Sequence, residues 1–171
     1  MNSEFDVDIN VKDMYSFLMN NTYRKFSGIL WVIMGIAAVV LAVYTRGKVN
    51  VSYTVLLLVF AVIFLVLNPV VLYLKARRQI KNNAYFAIPL HFTLDEDKIT
   101  VSQGENSQSV TWQEIYKAVK YSSNVIIYIT DIRTFIWPKR CLDNAKVYND
   151  VVKLASAGLG SRCKLKEISN D

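Results

Sequence analysis

Histidine occurs once in the 171 residues, cysteine twice and proline three times. That scarcity removes most catalytic chemistry. No glycine-rich phosphate loop, nucleophile elbow or paired-carboxylate motif is present. His91 falls in the middle of an expected strand with no carboxylate in a recognisable pattern beside it. A surface or satisfied core histidine is therefore expected over a catalytic one. Cys141 and Cys163 are far apart, and neither has a second ligand at metal spacing. In a reducing cytoplasm both are expected as free thiols. Asp95-Glu96-Asp97 resembles a cation site in composition only and reads as an acidic hairpin turn. The expectation is a non-enzymatic protein with no cofactor and no metal.

Charge is also missing from two long stretches. Phe26 to Thr45 runs uncharged for about 30 Å as a helix, one bilayer core. Val49 to Leu74 runs uncharged for about 39 Å, enough to span with tilt. A soluble core helix needs one apolar stripe, not an apolar surface all round, so two membrane spans are expected. A cleaved signal peptide does not fit the first run, because Glu4, Asp6, Asp8 and Asp13 precede it where a basic stretch belongs. Only Arg46, Gly47 and Lys48 separate the runs as strong breakers, which makes the spans antiparallel neighbours. Gly35, Ala38 and Ala42 offer the first helix a small-residue strip for close approach. Pro69 is expected to kink the second.

What is present at the ends of the runs is positive charge. Arg24 and Lys25 precede the first, and Lys75, Arg77, Arg78 and Lys81 follow the second, against Arg46 and Lys48 at the turn. That imbalance predicts both termini on the cytoplasmic side of the cell membrane. Each juxtamembrane cation near anionic lipid contributes about 1 kcal/mol, so the cluster orients the chain without being its anchor. Lys75, Arg77, Arg78, Lys81, Lys139 and Arg140 are the candidate contacts to anionic headgroups or to a protein partner. The net charge of +6 also fits a nucleic-acid footprint. Its clustering beside the membrane makes lipid the nearer partner, and nucleic acid is not expected.

After the basic cluster the pattern changes to short β-rich runs with turn chemistry between them. Strands are expected over residues 85–94 (Pro89 suggesting an edge or bulge), 98–103, 107–112, 114–121, 125–130 and 132–137, paired antiparallel. A helix follows, with Asp143 as N-cap, a stripe of Val147, Val151 and Leu154, and Gly158 and Gly160 at its end. Trp112 and Trp137 are expected in the core. Upstream, Phe5, Val7, Ile9 and Val11 alternate with polar residues, the pattern of a half-buried strand, and Lys12-Asp13 opens a short helical segment through Tyr23. This strand is expected to join the later sheet; a mobile tail, or an interfacial amphipathic helix using Met14, Phe17 and Leu18, stays open beside it.

The expected layout is therefore a cytoplasmic strand and short helix (1–25), a first span (26–45), an external turn (46–50) and a second span (51–74). A basic linker (75–84), a sheet-and-helix domain (85–158) and a flexible tail (159–171) complete it. The fold class is a membrane α-helical hairpin plus an α+β cytoplasmic domain. Strands followed by one C-terminal helix resemble the pleckstrin-homology-like plan, an antiparallel barrel capped by that helix. The succession LDEDKITV, VTWQEIYKAVKY, VIIYI and FIWPKRCL resembles the bacterial YcxB-like family. The match rests on Leu94, Ile99 to Val101, Trp112, Glu114, Ile115, Phe135, Pro138, Lys139 and Arg140. The resemblance implies two membrane helices followed by a small pleckstrin-homology-like domain, and implies architecture more than activity. The functional expectation is a membrane-anchored binding module for a protein or anionic lipid at the inner face. An immunity or self-protection protein against a membrane-active toxin or peptide is the alternative, and a hydrolase or transferase built around His91 is a third.

Overall fold

The computed structural model describes residues 2–130, 133–142 and 144–166. The chain forms two compact units, Met14–Gln79 and the combination of Met1–Asp13 with Ile80–Asp171.

The first unit is helical. Helix α1 covers Val11–Tyr23, α2 Phe26–Tyr44 and α3 Val51–Val62. A π-helical segment, Ile63–Leu67, joins α3 to α4, Asn68–Asn82. Both apolar stretches are thus single helices, of 19 and 32 residues, long and apolar enough to cross a membrane. The π segment stands where a kink was expected. Pro69 has no N–H and its ring collides with the carbonyl four residues back, and a widened turn just before it relieves both conflicts. The small-residue strip of α2 is buried at Gly35, Ala38 and Ala42. A Cβ at position 35 would lie 2.6 Å from the Leu65 side chain, so the two apolar helices approach closely here and any larger residue would force Leu65 to shift. Trp31 and Phe64 pack beside it at a 51° tilt, with centroids 4.6 Å apart. The basic linker expected from residue 75 is helix as far as Asn82.

The second unit holds two four-stranded sheets. The first has the order β1-β2-β3-β4 (Ser3–Val7, Leu90–Leu94, Lys98–Gln103, Asn106–Thr111). The second has the order β7-β6-β5-β8 (Thr134–Pro138, Asn124–Tyr128, Lys117–Lys120, Cys163–Lys164). The N-terminal strand does join the later sheet: β1 pairs antiparallel with β2, Phe5 opposite Phe92 and Val7 opposite Leu90. Burial follows the pleat, with Phe5 and Val7 inside and Glu4 and Asp6 outside. An aromatic cluster holds the sheets face to face. The Trp137 ring lies edge-on to Phe5 and Phe92 at 5.2 and 5.5 Å, and Phe135 meets Phe92 at 5.2 Å. Trp112 is buried too, its indole N–H donating to the Asp95 carbonyl at 2.9 Å.

Several expected boundaries shift for physical reasons. The first strand after the helices starts at Leu90, not at residue 85, because Pro89 cannot donate to a ladder; Ala84–Phe86 is a short 3-10 turn. The strand expected from Glu114 starts at Lys117, because Thr111 and Glu114 form a reciprocal capping box around a 3-10 turn, Trp112–Glu114. Helix α5 spans Ala145–Leu159 and is capped by the Asn144 side chain. Asp143, the expected cap, lies outside the described residues. Gly158 does not end α5: a Cβ there would lie 2.3 Å from the Trp112 side chain, so it is where the helix packs directly against Trp112. Gly160, at φ +53°, makes the stop. The flexible tail expected from residue 159 is instead held as far as Lys166. β8 pairs parallel with β5, Arg162 donates to the Ile115 carbonyl at 2.7 Å, and Leu165 is buried. Residues 167–171 lie outside the described part. Among the described residues no strand pairs across the two sheets, so the antiparallel sheet domain with its C-terminal helix is found as two sheets that are not closed on each other.

Candidate functional site

The basic cluster is presented by the last turns of α4. Lys75, Arg77, Arg78 and Lys81 are all exposed, while Leu72 and Ala76 on the same helix are buried. At 100° per residue, the four cations occupy an arc of roughly 160°, and the two buried residues fall outside it. Cations also suit the end of a helix, where unpaired carbonyls concentrate negative potential. The site therefore consists of a helical ledge of charge continuous with an apolar helix.

The other two expected contacts behave differently. Lys139 donates its ammonium to the Ser122 carbonyl at 2.6 Å. Partial burial and the nearby Lys120 hold its pKa below the usual lysine range. Arg140, expected as a contact to headgroups or a protein partner, is also engaged inside the unit. Its Nη2 and Nε donate to Asp13 Oδ2 at 2.8 and 3.3 Å, and Nη2 also donates to the Asp8 carbonyl. The hydrogen bond to Asp13 raises its pKa further. Asp13 is itself the third residue of α1 and completes a capping box. Its carboxylate accepts from the Asn10 N–H at 3.1 Å, and the Asn10 side chain accepts from the Asp13 N–H at 2.9 Å. The Asn124 amide, fully buried, donates to the Asp13 carbonyl at 3.1 Å. Arg140 and Asn124 thus clasp the segment that leads from β1 into α1. Sequence reasoning missed this clasp because its members lie more than a hundred positions apart and carry no local pattern.

His91 has a carboxylate neighbour after all. Asp6 stands directly opposite it on β1, and Asp6 Oδ1 lies 2.8 Å from His91 Nδ1. In the same row across the sheet, Ser102 faces His91 on β3 and Ser107 faces Ser102 on β4. Both side chains of this pair are well exposed, on the outer face of the sheet. A cavity of about 190 Å³ opens on the opposite face, lined by Tyr85, Leu90, Val101, Gln103, Asn106 and Gln108, without His91. The acidic turn is used by the backbone: Asp95 Oδ1 accepts from the N–H groups of Asp97 and Lys98, both at 2.8 Å. Asn68 donates to the Tyr23 hydroxyl at 3.3 Å.

A family model described as YcxB-like protein matches residues 94–155. The match begins at the end of β2 and reaches the last turns of α5, so it covers most of the sheet unit and neither apolar helix. No curated protein and no solved structure matches the chain. The family that the strand order and its quoted residues resemble is thus the one whose model matches residues 94–155.

Proposed function

We propose that the chain is a non-enzymatic membrane protein of two spans, with both ends on the cytoplasmic side. Its sheet unit, on this reading, is a pleckstrin-homology-like module that engages anionic lipid or a protein at the inner face. The observation that carries the proposal is the α4 ledge, where an exposed apolar helix continues without a break into Lys75, Arg77, Arg78 and Lys81. Apolar surface on a helix end followed by an arc of cations matches the hydrocarbon-to-headgroup boundary. Two sheets with a C-terminal helix packed against β1 and β5 support the module assignment, as does the family match within that unit. Lys139 remains a contact candidate, whereas Arg140 serves the internal clasp.

The test uses the full chain reconstituted in nanodiscs, with the accessibility of the α4 cations read by lysine modification. With anionic lipid, Lys75 and Lys81 are expected to be protected relative to Lys98, and added salt should erase much of that protection, since screening shortens the reach of surface charge to about 8 Å at physiological ionic strength. Equal modification in neutral and anionic discs at every salt concentration would contradict the lipid reading.

A further inference from the structure

The inward face of the first sheet does not stay apolar to its end. Along the β3–β4 hairpin the facing pairs run Ile99–Val110, Val101–Gln108 and Gln103–Asn106. Ile99, Val101 and Val110 are buried, whereas Gln108 and Asn106 are exposed. Where the core residues give way to amides, the cavity of about 190 Å³ opens, shared by these side chains with Leu90 and Tyr85. All of them belong to the sheet unit.

The surrounding chain holds this lining in place. Gln103 Nε2 donates to the carbonyls of Tyr85 and Ile88, at 2.7 and 2.9 Å, which pins the turn that carries Tyr85. Arg133 closes the β6–β7 hairpin of the second sheet, its carbonyl accepting from the N–H groups of Ile129 and Thr130. Its guanidinium reaches the first sheet, where Nη2 donates to Gln108 Oε1 at 2.8 Å. That acceptor is a neutral amide, and among the described residues no carboxylate forms an ion pair with Arg133. Glu114, its pKa lowered by bonds from Thr111 and then by the Arg133 charge, is turned onto Thr111. Burial raises the Tyr85 hydroxyl pKa against an opposite pull from Arg133, so that hydroxyl keeps its proton and can donate.

The hydrogen-bonding groups left over around the cavity are mostly donors. Gln108 has its oxygen on Arg133 and its NH2 unpaired, and Arg133 uses one of its N–H groups. The Asn106 amide and the Tyr85 hydroxyl have no partner among the described residues. We propose that this cavity binds a small monocarboxylate, its carboxylate on Arg133 and the neighbouring amide and hydroxyl donors, its short apolar part on Leu90 and Val101. A planar guanidinium meets a carboxylate with two parallel N–H···O bonds. A phosphate dianion suits the site less, because one cation serves it and that cation already acts on Glu114. Volume sets the size. The cavity has room for about six waters at about 30 Å³ each. That is below the roughly 300–1,000 Å³ of sites for drug-sized ligands. The proposal concerns the sheet unit alone and does not rest on the membrane reading.

The test uses the full chain in non-ionic detergent. Hexanoate is the probe, hexanamide its uncharged counterpart, and acetyl-valine stands for the end of a peptide chain. Calorimetry against empty micelles reads the affinity, and the side-chain NH2 resonances of Asn106 and Gln108 read the place. Hexanoate is expected to bind saturably and to shift both resonances. Hexanamide should bind about tenfold more weakly, a difference of about 1.4 kcal/mol. Arg133→Gln should erase that preference for the acid. Asn106→Trp, which fills the cavity and keeps Arg133, should abolish binding of both, with near-ultraviolet circular dichroism unchanged in each variant. Either acid bound at the two resonances supports the site, and the tighter of the two tells a free acid from a chain terminus. No saturable binding of either acid, equal affinity for hexanoate and hexanamide, or hexanoate binding that survives both substitutions would overturn the proposal.

Discussion

The helical unit and the sheet unit bury side chains in opposite senses. In α2 the residues turned inward are small, Gly35, Ala38 and Ala42, while Ile33, Val40 and Val43 are 56%, 59% and 70% exposed. In the sheet unit Val7, Phe92, Ile126 and Trp137 are at most 1% exposed, and among its described serines, lysines and acids only Ser3 and Asp13 are buried. Sheet strands follow the rule for water, where apolar area is driven inward at roughly 25 cal/mol per Å². The long helices follow the rule for hydrocarbon. There an apolar exterior costs nothing and helices associate through small residues that let backbones approach. On the proposed membrane reading, one chain carries surfaces fitted to two solvents, and α4 is where one surface gives way to the other.

The largest expected effect breaks the water-facing half of that comparison. Trp137→Ala removes the ring that Phe5 and Phe92 both abut, and truncation of a buried aromatic costs about 3–5 kcal/mol. Loss of the near-ultraviolet signal at much lower denaturant, with helical far-ultraviolet signal retained, is the expected readout. Next comes a substitution whose cost depends on the solvent. Ile36→Lys, on an exposed face of α2, is worth about 2.5–3.5 kcal/mol against membrane insertion at a helix centre. In water the same exposed change would stay within about 0.5 kcal/mol. Reduced membrane integration in a glycosylation or protease-protection assay supports the hydrocarbon-facing assignment, and indifference removes it.

A smaller effect sharpens how the two units are joined in sequence. Arg140→Ala leaves the Asp13 carboxylate, whose side chain is 10% exposed, with only the Asn10 N–H. Hydrogen bonds to charged groups contribute about 1.5–3 kcal/mol. The 43% exposure of the Arg140 side chain places this one toward the lower end. A double-mutant cycle with Asp13→Asn should show non-additivity, because the two substitutions remove one interaction. Additive effects would mean that the clasp contributes nothing as a pair.

The sequence was readable wherever periodicity carried the information. Alternation in FDVDINV placed Phe5 and Val7 on the buried face of β1, although the strand runs Ser3–Val7 and Val11, expected at its end, opens α1; the uncharged runs placed both long helices, and Gly35, Ala38 and Ala42 marked the contact face. It was less readable where a distant partner decides. His91 showed no carboxylate until β1 paired with β2 and brought Asp6 opposite it. Arg140 looked like one more surface cation because Asp13 lies 127 positions away. Gly158 read as a helix stop, yet its role is set by the Trp112 ring against it. Tyr148, missed in the stripe of α5, is buried by a hydrogen bond to the Lys166 carbonyl as well as by packing. At the candidate site the cations of α4 were evident from spacing, but their helical presentation was not, since a basic segment after an apolar run reads equally as linker.

The most direct test of the account asks on which side the two surfaces end. Val49, in the turn between the apolar helices, is exposed, and the turn's glycine is avoided because Gly47 has φ +77°. In intact cells producing Val49→Cys, a membrane-impermeant thiol reagent is expected to modify position 49. Cys141 and Cys163 should react only after the cells are opened. Labelling of Cys141 or Cys163 from outside, with position 49 protected, would contradict the proposed topology and the inner-face module that rests on it.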